Sequence, residues 1–382
     1  MKQAIMIGAG NIGRGFIGAI LSRSGYHVTF ADVNMTLIDA INAEGRYTVH
    51  IQDRNPAAFT ITNIDGISSA GPELAEALKT AELVTTAVGL RILPIVAKPI
   101  AAGIAARKAA GNAAPLNIVA CENAVRATSQ LKNAVYALLD DETKAFADAN
   151  VGFADCAVDR IVPKMDFADP LDVAVEEFSE WDVERSGWKG ELPEIDGMSV
   201  VDDLSAYIER KLFTLNSGHA ICAYLGCLRG HHTILDSVSD PVIGPIVYRA
   251  MQQSGAGLVK KFSMDAEKHQ AYIDRIFARF HNPYLQDEVA RVGREPIRKL
   301  AASDRLISPL LTAYNFGLPV DQLIFGAAAA LRYDNAEDPQ SVELQQTIAE
   351  QGAAAALEQY SGLAADHPLS TRILDVYRAL AV

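Results

Sequence analysis

The sequence has few cysteines, no excess of basic residues and no long apolar run. Its four cysteines form no C-x-x-C pair, so neither a zinc site nor a redox pair is indicated. Acidic residues outnumber basic ones by 47 to 34, and the net charge of −13 disfavours nucleic acid or an anionic membrane as partner. No stretch reaches the ~18 apolar residues of a membrane-spanning helix, and no secretory signal pattern is seen. These absences predict a cytoplasmic protein without nucleic-acid or membrane partners.

The composition is otherwise that of an ordinary globular protein, and its 382 residues suggest about two or three domains. Residues 1–190 alternate between apolar runs and helix-like segments, which favours an α/β domain with a mainly parallel sheet. Residues 191–382 show apolar positions at helical spacing and few convincing strands. We therefore predict a Rossmann-type dinucleotide-binding domain over 1–190 and a mainly helical substrate and catalytic domain over 191–382.

The clearest motif is a glycine pattern that follows the first apolar run. Residues 3–7 predict a buried strand, and the next six residues are Gly8-Ala9-Gly10-Asn11-Ile12-Gly13, a G-x-G-x-x-G sequence. A second strand is predicted over 27–31 and is followed by Asp32. A strand, a glycine turn, a helix and an acid about 20 residues on form a dinucleotide-binding fingerprint. The six residues of the glycine motif and Asp32 are therefore candidates for cofactor binding.

Each residue of this fingerprint has a physical reason. Gly8 permits the tight turn, Gly10 lets the backbone approach a pyrophosphate, and Gly13 allows close packing of helix on strand. N–H groups at the helix start would bind the pyrophosphate. Asp32 would accept hydrogen bonds from ribose hydroxyls and repel a 2′-phosphate, and the two residues after it supply no cation. We therefore expect NAD rather than NADP.

Two further predicted strands end in residues suited to the same site. Residues 82–88 end in the small pair Ala87 and Val88, and residues 116–120 are followed closely by Asn123. Ligands of parallel sheets bind outside the carboxyl ends of the strands. We therefore expect all three residues to lie close to the cofactor.

A second polar pattern opens the helical half. Lys211, Asn216 and His219 follow a K-x-x-x-x-N-x-x-H spacing in an otherwise apolar segment. On an α-helix with ~100° per residue they would lie near 0°, 140° and 80°, within one polar sector. Three buried polar residues are costly unless they are paired or used, so either a satisfied core network or a catalytic group is indicated.

Four motifs together resemble those of a known family. They are G-A-G-N-I-G-R-G from residue 8, A-C-E-N from residue 120, V-D-R-I-V-P from residue 158 and K-L-F-T-L-N-S-G-H from residue 211. The chain resembles the polyol-specific long-chain dehydrogenases, the mannitol dehydrogenase family, over essentially its whole length. It is most similar to the members that oxidise mannitol 1-phosphate reversibly to fructose 6-phosphate with NAD. The resemblance implies that activity, without a metal.

The resemblance also implies roles for individual residues. Lys211 would be the general base, and both burial and the cationic nicotinamide would lower its pKa from the ~10.4 of a free lysine. Asn216 and Asn123 would hydrogen-bond to the developing alkoxide, and His219 would hold a substrate hydroxyl or the alkoxide. Asp159 would bind substrate hydroxyls or tune Lys211, although an ion pair with a neighbouring arginine would also explain it.

A phosphorylated substrate needs cations, and one stretch of the helical half holds four bases against one acid. Breaks in the helix there would let side chains and free N–H groups converge. We expect Arg294, Arg298 and Lys299 to contribute to the substrate pocket, since arginine binds phosphate in a bidentate manner. The alternative is a solvated basic patch paired to acids such as Asp287 and Asp304.

Three other functions stay open at this point. A hexuronate reductase and an unphosphorylated polyol dehydrogenase belong to the same family, and a carboxylate would also satisfy the basic stretch. A non-catalytic NAD-sensing protein is a different class, against which the intact lysine, asparagine and histidine set argues. We expect a monomer or weak dimer whose partner is a small phosphorylated polyol or ketose.

Overall fold

The computed structural model describes residues 1–53, 55–163, 165–284 and 287–380. The chain divides into two compact units, Met1–Tyr207 (unit 1) and Ile208–Val382 (unit 2). Unit 1 combines strands and helices around a parallel sheet, and unit 2 is built from helices. The predicted fold class, an α/β Rossmann-type domain followed by an all-α domain, is confirmed.

Unit 1 contains twelve strands among its described residues. They are β1 (Lys2–Ile7), β2 (Tyr26–Asp32), β3 (Tyr47–Ile51), β4 (Ala57–Ile61), β5 (Ile64–Ser68), β6 (Leu83–Thr86), β7 (Leu116–Ala120), β8 (Val151–Phe153), β9 (Cys156–Asp159), β10 (Val173–Val175), β11 (Glu180–Glu184) and β12 (Ser199–Val201). The helices up to the division are α1 (Gly18–Arg23), α2 (Met35–Glu44), α3 (Glu73–Ala77), α4 (Leu93–Ala109), α5 (Ala127–Tyr136), α6 (Asp141–Asn150) and α7 (Leu204–Arg210). A π-helical turn, Gly13–Ile17, leads into α1.

The main sheet of unit 1 has six parallel strands in the order β5-β2-β1-β6-β7-β8. The central strand β1 pairs with β2 on one side and with β6 on the other, so that Ile7 lies level with Ala31 and Thr86. Because the strands are parallel, the residues that follow β1, β2 and β6 meet at one edge. That edge carries the glycine turn.

Successive residues of β1 point to opposite faces of this sheet, as strand geometry requires. Ala4 and Met6 belong to one apolar core, together with residues of α1 and of the smaller sheet β10-β3-β4. Ile5 and Ile7 belong to a second core, formed with α3, α4 and α5. Both faces of β1 are therefore covered, which explains why its sequence is an uninterrupted apolar run rather than an alternating one.

The apolar run over residues 151–157 predicts one strand, but the structure does not form it as a single element. It is divided into β8, which ends the main sheet, and β9, which pairs with β11 in a third sheet, β12-β11-β9. Asp155 lies between the two strands, and its carboxylate accepts hydrogen bonds from the backbone N–H (2.9 Å) and hydroxyl (2.5 Å) of Ser129. This buried acid fixes the chain where it leaves one sheet for another, although the apolar pattern on either side is continuous.

Unit 2 begins within α7, which continues into a π-helical segment, Lys211–Asn216. Its α-helices are α8 (Ser217–Leu228), α9 (Ile234–Ser239), α10 (Ile243–Phe262), α11 (Ala266–Phe280), α12 (Val289–Gly293), α13 (Pro296–Leu300), α14 (Ile307–Asn315), α15 (Asp321–Leu331), α16 (Pro339–Gln351), α17 (Ala353–Ser361) and α18 (Pro368–Ala379). Helix α8 is the centre of the unit and packs against α10, α12 and α15. Among the helices described here, none is long and apolar enough to span a membrane.

Candidate functional site

The glycine turn after β1 has the close backbone contacts that its sequence predicts. Gly8 has φ +100°, its N–H donates to the carbonyl of Ala31 (2.8 Å), and a Cβ there would lie 2.5 Å from the carbonyl oxygen of Ala87. A Cβ on Gly13 would lie 1.9 Å from the carbonyl oxygen of Gly8. A Cβ on Gly10 would meet nothing within 4 Å. Two glycines thus allow the turn itself, and the third leaves open space beside it.

Asp32 is bound to this turn. Its Oδ2 accepts a hydrogen bond from the N–H of Ala9 (2.7 Å) and its Oδ1 from the N–H of Asn34 (2.9 Å). A carboxylate has about four acceptor positions, so two remain for ribose hydroxyls. Ala9 is buried beneath the turn, while Asn11 and Ile12 are exposed beside it.

Arg14 is a part of this site that sequence reasoning missed. Its side chain is only 3% exposed, and it donates to the carbonyl oxygens of Leu171 (Nε, 3.0 Å) and Ala9. Burial lowers the pKa of Arg14, against the opposing charge of nearby acids such as Asp32. An arginine on the buried face of a helix start was the available signal, because such a charge needs acceptors.

A cavity of about 990 Å³ opens at this edge of the sheet, large enough for much of a dinucleotide. Its lining is mainly apolar and comes entirely from unit 1: Ile7, Gly8, Gly10, Ala31, Asp32, Val33, Ser69, Ala70, Gly71, Pro72, Ala75, Ala87, Val88, Ile92, Ile95, Val96, Lys98, Pro99 and Ala102. Val33 is 73% exposed and Ile95 61% exposed, and both line this cavity, where a bound ligand would cover them. Lys98 adds a cation that the sequence around Asp32 did not predict.

A buried carboxylate supports the floor of this cavity. Glu122 is 6% exposed, and its Oε1 accepts from the hydroxyl of Thr86 (2.7 Å) and the N–H of Val88 (3.0 Å). Its Oε2 accepts from the N–H of Gly89 (2.8 Å). Glu122 therefore holds the chain where β6 leaves the sheet and enters the cavity wall. In the sequence, Glu122 stands out only as part of the A-C-E-N motif.

The other predicted residues of unit 1 lie after strands. Asn123 is exposed and follows β7 closely, at the carboxyl edge of the main sheet. Asp159 is buried at the end of β9, in the third sheet. Its neighbour Arg160 donates to the carbonyl of Glu176 (Nη2, 2.9 Å), and burial lowers the pKa of Arg160 to about 10.

In unit 2 the predicted catalytic helix is not one continuous α-helix. Residues 211–216 are π-helical, with hydrogen bonds that span five residues instead of four. Such a segment advances by only about 80° per residue, which brings Lys211 and Asn216 to roughly 50° apart instead of about 140°. Asn216 and His219 are then i, i+3 neighbours at the start of α8. The π-helix thus places all three residues more closely on one face than the sequence predicted.

This face differs in burial from the rest of the segment. Lys211, Asn216 and His219 are half-buried, whereas the three residues 213–215 are buried in the core of unit 2. A half-buried set containing an amine, an amide and an imidazole can hold and move a proton at a bound hydroxyl.

His219 has a carboxylate partner that the sequence did not reveal. Its Nε2 lies 3.2 Å from Oδ2 of Asp287, and its ring stacks on Phe280 with centroids 5.2 Å apart and planes 16° apart. Asp287 is also paired with Arg291. Burial alone would raise the pKa of Asp287, but the bond to His219 and the charge of Arg291 outweigh it and lower that pKa.

Most of the basic stretch is already paired. Arg298 contacts Glu295 (2.8 Å) and Asp304 (3.3 Å), as the patch alternative anticipated. The ammonium of Lys299 is buried and donates to the carbonyl oxygens of Val292 (2.8 Å) and Arg294. The Lys299 side chain is therefore engaged with the backbone before α13.

Burial, reinforced by neighbouring arginines, lowers the pKa of Lys299 to about 7. Arg294 differs from the other cations of the stretch. It is exposed, and its side chain makes no ion pair or hydrogen bond with any described residue.

Two of the N–H groups expected to be free at this helix start are already engaged. The N–H of Glu295 donates to Oδ2 of Asp338 (2.7 Å), and that of Arg298 to Oε1 of Gln340 (2.9 Å). Polar side chains of the same unit thus occupy this helix start. Elsewhere in the chain, over the residues that the structure describes, no group of three or more His, Cys, Asp or Glu side chains has an arrangement suited to a metal ion.

Comparison with known proteins covers both units. Residues 2–197 match the mannitol dehydrogenase Rossmann domain, and residues 203–380 match the mannitol dehydrogenase C-terminal domain. A D-sorbitol dehydrogenase in substrate-free form is similar in structure, with a TM-score of 0.75 and 16% identity over 93% of this chain and 94% of that chain. Pseudomonas fluorescens mannitol 2-dehydrogenase, solved as a ternary complex with NAD and D-mannitol, gives a TM-score of 0.71 and 17% identity over 99% and 91%. At these identities the two structures show a shared fold.

Proposed function

The chain belongs to the mannitol dehydrogenase family and is an oxidoreductase that acts on a CH–OH group with NAD; we propose that its substrate is mannitol 1-phosphate, which it oxidises reversibly to fructose 6-phosphate. The observation that carries the proposal is the pair of features in unit 2. One face of a helix presents an amine, an amide and an imidazole, and the basic stretch later in the same unit holds an arginine that pairs with no described residue.

The residues of unit 1 fit NAD. Gly8 and Gly13 close the turn on its own backbone, and Gly10 leaves room for a pyrophosphate. Asp32 has free acceptor positions for ribose hydroxyls, and its charge disfavours a 2′-phosphate. Apolar side chains such as Ile95 form walls of the cavity that suit an adenine ring. When bound, NAD supplies the acceptor for the hydride that leaves the carbinol carbon.

The residues of unit 2 supply the proton chemistry of the proposal. Lys211, as the neutral amine, takes the proton of the substrate hydroxyl as general base. Asn216 donates a hydrogen bond to the oxygen as negative charge develops on it. His219 holds a further substrate group. Asn123 keeps the alkoxide-binding role that the family resemblance gives it, and Asp159 keeps its role toward substrate hydroxyls.

Arg294 is the candidate for phosphate recognition. An exposed guanidinium without an acid partner can bind a phosphate in a bidentate manner without first breaking an ion pair. Arg298 would have to leave Glu295 or Asp304, so we assign it a secondary part. Lys299, bound to backbone carbonyls, fixes the position of the segment that carries Arg294 rather than reaching the phosphate itself.

The pairing of most of the basic stretch favours a second candidate. Solved relatives are named for sorbitol and mannitol, and an unphosphorylated polyol would need none of these cations. A hexuronate is the third possibility, because a carboxylate would also satisfy Arg294. A substrate panel of mannitol 1-phosphate, mannitol and mannonate, each with NAD and with NADP, separates the three by kcat/KM.

Arg294→Ala tests the phosphate assignment directly. We expect the KM for mannitol 1-phosphate to rise about tenfold or more, from the loss of a charge-assisted pair of ~1.5–3 kcal/mol, with the KM for NAD unchanged. Arg378→Ala is the matched control, since that exposed arginine is paired within its own helix. Equal small effects of Arg294→Ala on both KM values would refute the assignment.

Lys211→Ala tests the catalytic assignment. The variant should lose turnover across the neutral pH range while it keeps its affinity for NADH, because the cavity residues all belong to unit 1. Absorbance at the NADH band measures turnover, and protein fluorescence measures binding. Near-wild-type turnover would show that another group is the base.

A further inference from the structure

The contact between His219 and Asp287 defines which nitrogen of His219 carries a proton. Asp287 is ionised at neutral pH, since its pKa is lowered, so its carboxylate can only accept hydrogen bonds. The nitrogen that faces it, Nε2 at 3.2 Å, must therefore be the protonated one. In the neutral imidazole the other nitrogen, Nδ1, then carries a lone pair.

The position of Asp287 is fixed independently of His219. Its carbonyl accepts from the N–H of Ile234 (2.8 Å), and the N–H of Val289 donates to the carbonyl of His232 (3.0 Å). This short bridge ties the segment before α12 to the segment before α9. Arg291 holds the other carboxylate oxygen from within α12. Asp287 is thus held by backbone and by charge, as a residue that orients another side chain must be.

The plane of the imidazole is fixed as well. The ring of Phe280 stacks against it, and with Nε2 bound to Asp287 the ring has little freedom to rotate. Among the described residues, Nδ1 has no hydrogen-bond partner, which leaves it for a ligand.

We propose that Asp287 is a positioning residue that fixes His219 as the Nε2–H tautomer, so that Nδ1 accepts a hydrogen bond from a hydroxyl group of the substrate. This rests on the proposed function and narrows it. Of the two roles that the family resemblance left open for His219, it selects the neutral hydroxyl over the alkoxide, because a lone pair at Nδ1 would repel an alkoxide. A hydroxyl contact of this kind is present in the ground state and in the transition state alike.

The tautomer can be read without substrate. In protein labelled with ¹⁵N-histidine, with the His219 signals assigned by their loss in His219→Asn, we expect protonated Nε2 and unprotonated Nδ1 near neutral pH. Asp287→Asn should turn this into a mixture, because an amide can either accept or donate. An Nδ1–H tautomer in the wild-type protein would overturn the proposal. The outcome does not depend on which polyol is the substrate.

Kinetics test the consequence with whichever polyol gives the highest kcat/KM. Asp287→Asn should raise its KM about tenfold with kcat nearly unchanged, since the lost contact is uniform in ground and transition states. NADH affinity should stay constant because the cofactor cavity belongs to unit 1. An unchanged far-UV circular dichroism spectrum would show that the helices of unit 2 remain folded. The control Asp65→Asn, which disrupts a similar pair with His27 (3.3 Å) in unit 1, should change none of these.

A fall in kcat at constant KM would place His219 on the alkoxide instead and overturn the proposal. Arg291→Gln is a second variant in case Asp287→Asn proves unstable. It leaves the His219 contact in place, so we expect a smaller rise in KM and the same tautomer.

Discussion

Substitution of the buried Glu122 by glutamine should weaken both the fold and cofactor binding. The carboxylate accepts three hydrogen bonds, two at Oε1 from Thr86 and Val88 and one at Oε2 from Gly89. Glutamine can keep its carbonyl oxygen toward the first two, but its NH₂ group then faces the N–H of Gly89, donor against donor. One charge-assisted bond is lost and one buried N–H is left unsatisfied, for a total of about 3 kcal/mol.

This loss of free energy should appear partly as a lower free energy of unfolding and partly as weaker NADH binding. Val88 lines the cofactor cavity and Gly89, at φ +88°, begins the turn toward α4, which also lines it. For a unit of this size a loss of about 3 kcal/mol lowers the melting temperature by roughly 6–12 °C. If half of this free energy is instead needed to order the Val88–Gly89 loop when NADH binds, the Kd for NADH rises about tenfold.

Thermal unfolding and an NADH fluorescence titration measure the two parts. Glu76→Gln is the control, because Glu76 is 70% exposed and its ion pair with Lys79 is expected to contribute less than about 1 kcal/mol. If Glu122→Gln changes neither the melting temperature nor the Kd for NADH beyond that control, the carboxylate does not hold the loop and the reasoning fails.

Two further changes follow from close contacts in the two units. Gly13→Ala would place a Cβ 1.9 Å from the carbonyl oxygen of Gly8, so we expect NADH affinity to fall at least tenfold. The Gly13→Ala variant should also be much less stable than Gly10→Ala, because a Cβ at position 10 would meet open space. Similar melting temperatures of the two variants would contradict this. Burial, aided by the charge of Arg210, lowers the pKa of His269 to about 4, so the folded state resists protonation that the unfolded chain accepts below about 6.5. Stability present above pH 6.5 is therefore lost as pH falls toward 4, by about 2 kcal/mol between pH 7 and 5. In urea unfolding, the His269→Gln variant should lose about 2 kcal/mol less stability between pH 7 and 5 than the wild-type protein. An identical pH dependence of the two proteins would refute this role of His269.

The dinucleotide site could be predicted from sequence because its determinants are local. The contact that requires glycine at position 13 is with Gly8, five residues earlier, and the one that requires it at position 8 is with the end of a neighbouring parallel strand. The position of Asp32 follows from β1 and β2 being adjacent. Glu122 escaped prediction because two of its three partners are backbone N–H groups after another strand, and the sequence does not show which N–H groups need an acceptor.

The segment that carries Lys211, Asn216 and His219 shows the opposite case, in which the geometry predicted from the sequence is wrong. The apolar pattern of residues 211–216 is compatible with an α-helix, in which Lys211 and Asn216 would be separated by about 140°. The π-helical hydrogen bonds reduce that angle to roughly 50°, an adjustment that costs helix stability and is typical of functional sites. Nothing in the side-chain pattern distinguishes the two helices, since the difference lies in which carbonyl each N–H selects.

The basic stretch shows why charge in a sequence does not assign a binding site by itself. The sequence does not show which of its cations is available to a ligand. The acids that pair with Arg298 and the carbonyls that bind Lys299 are set by the packing of short helices. The same packing sets Asp287 against His219 and Arg291 together. A cation that is already paired is a poorer candidate for phosphate binding, because the phosphate would first have to displace its acid or carbonyl partner. A phosphate would gain most at Arg294, whose guanidinium makes no ion pair with any described residue. The KM of Arg294→Ala for mannitol 1-phosphate therefore tests whether this stretch binds the phosphate.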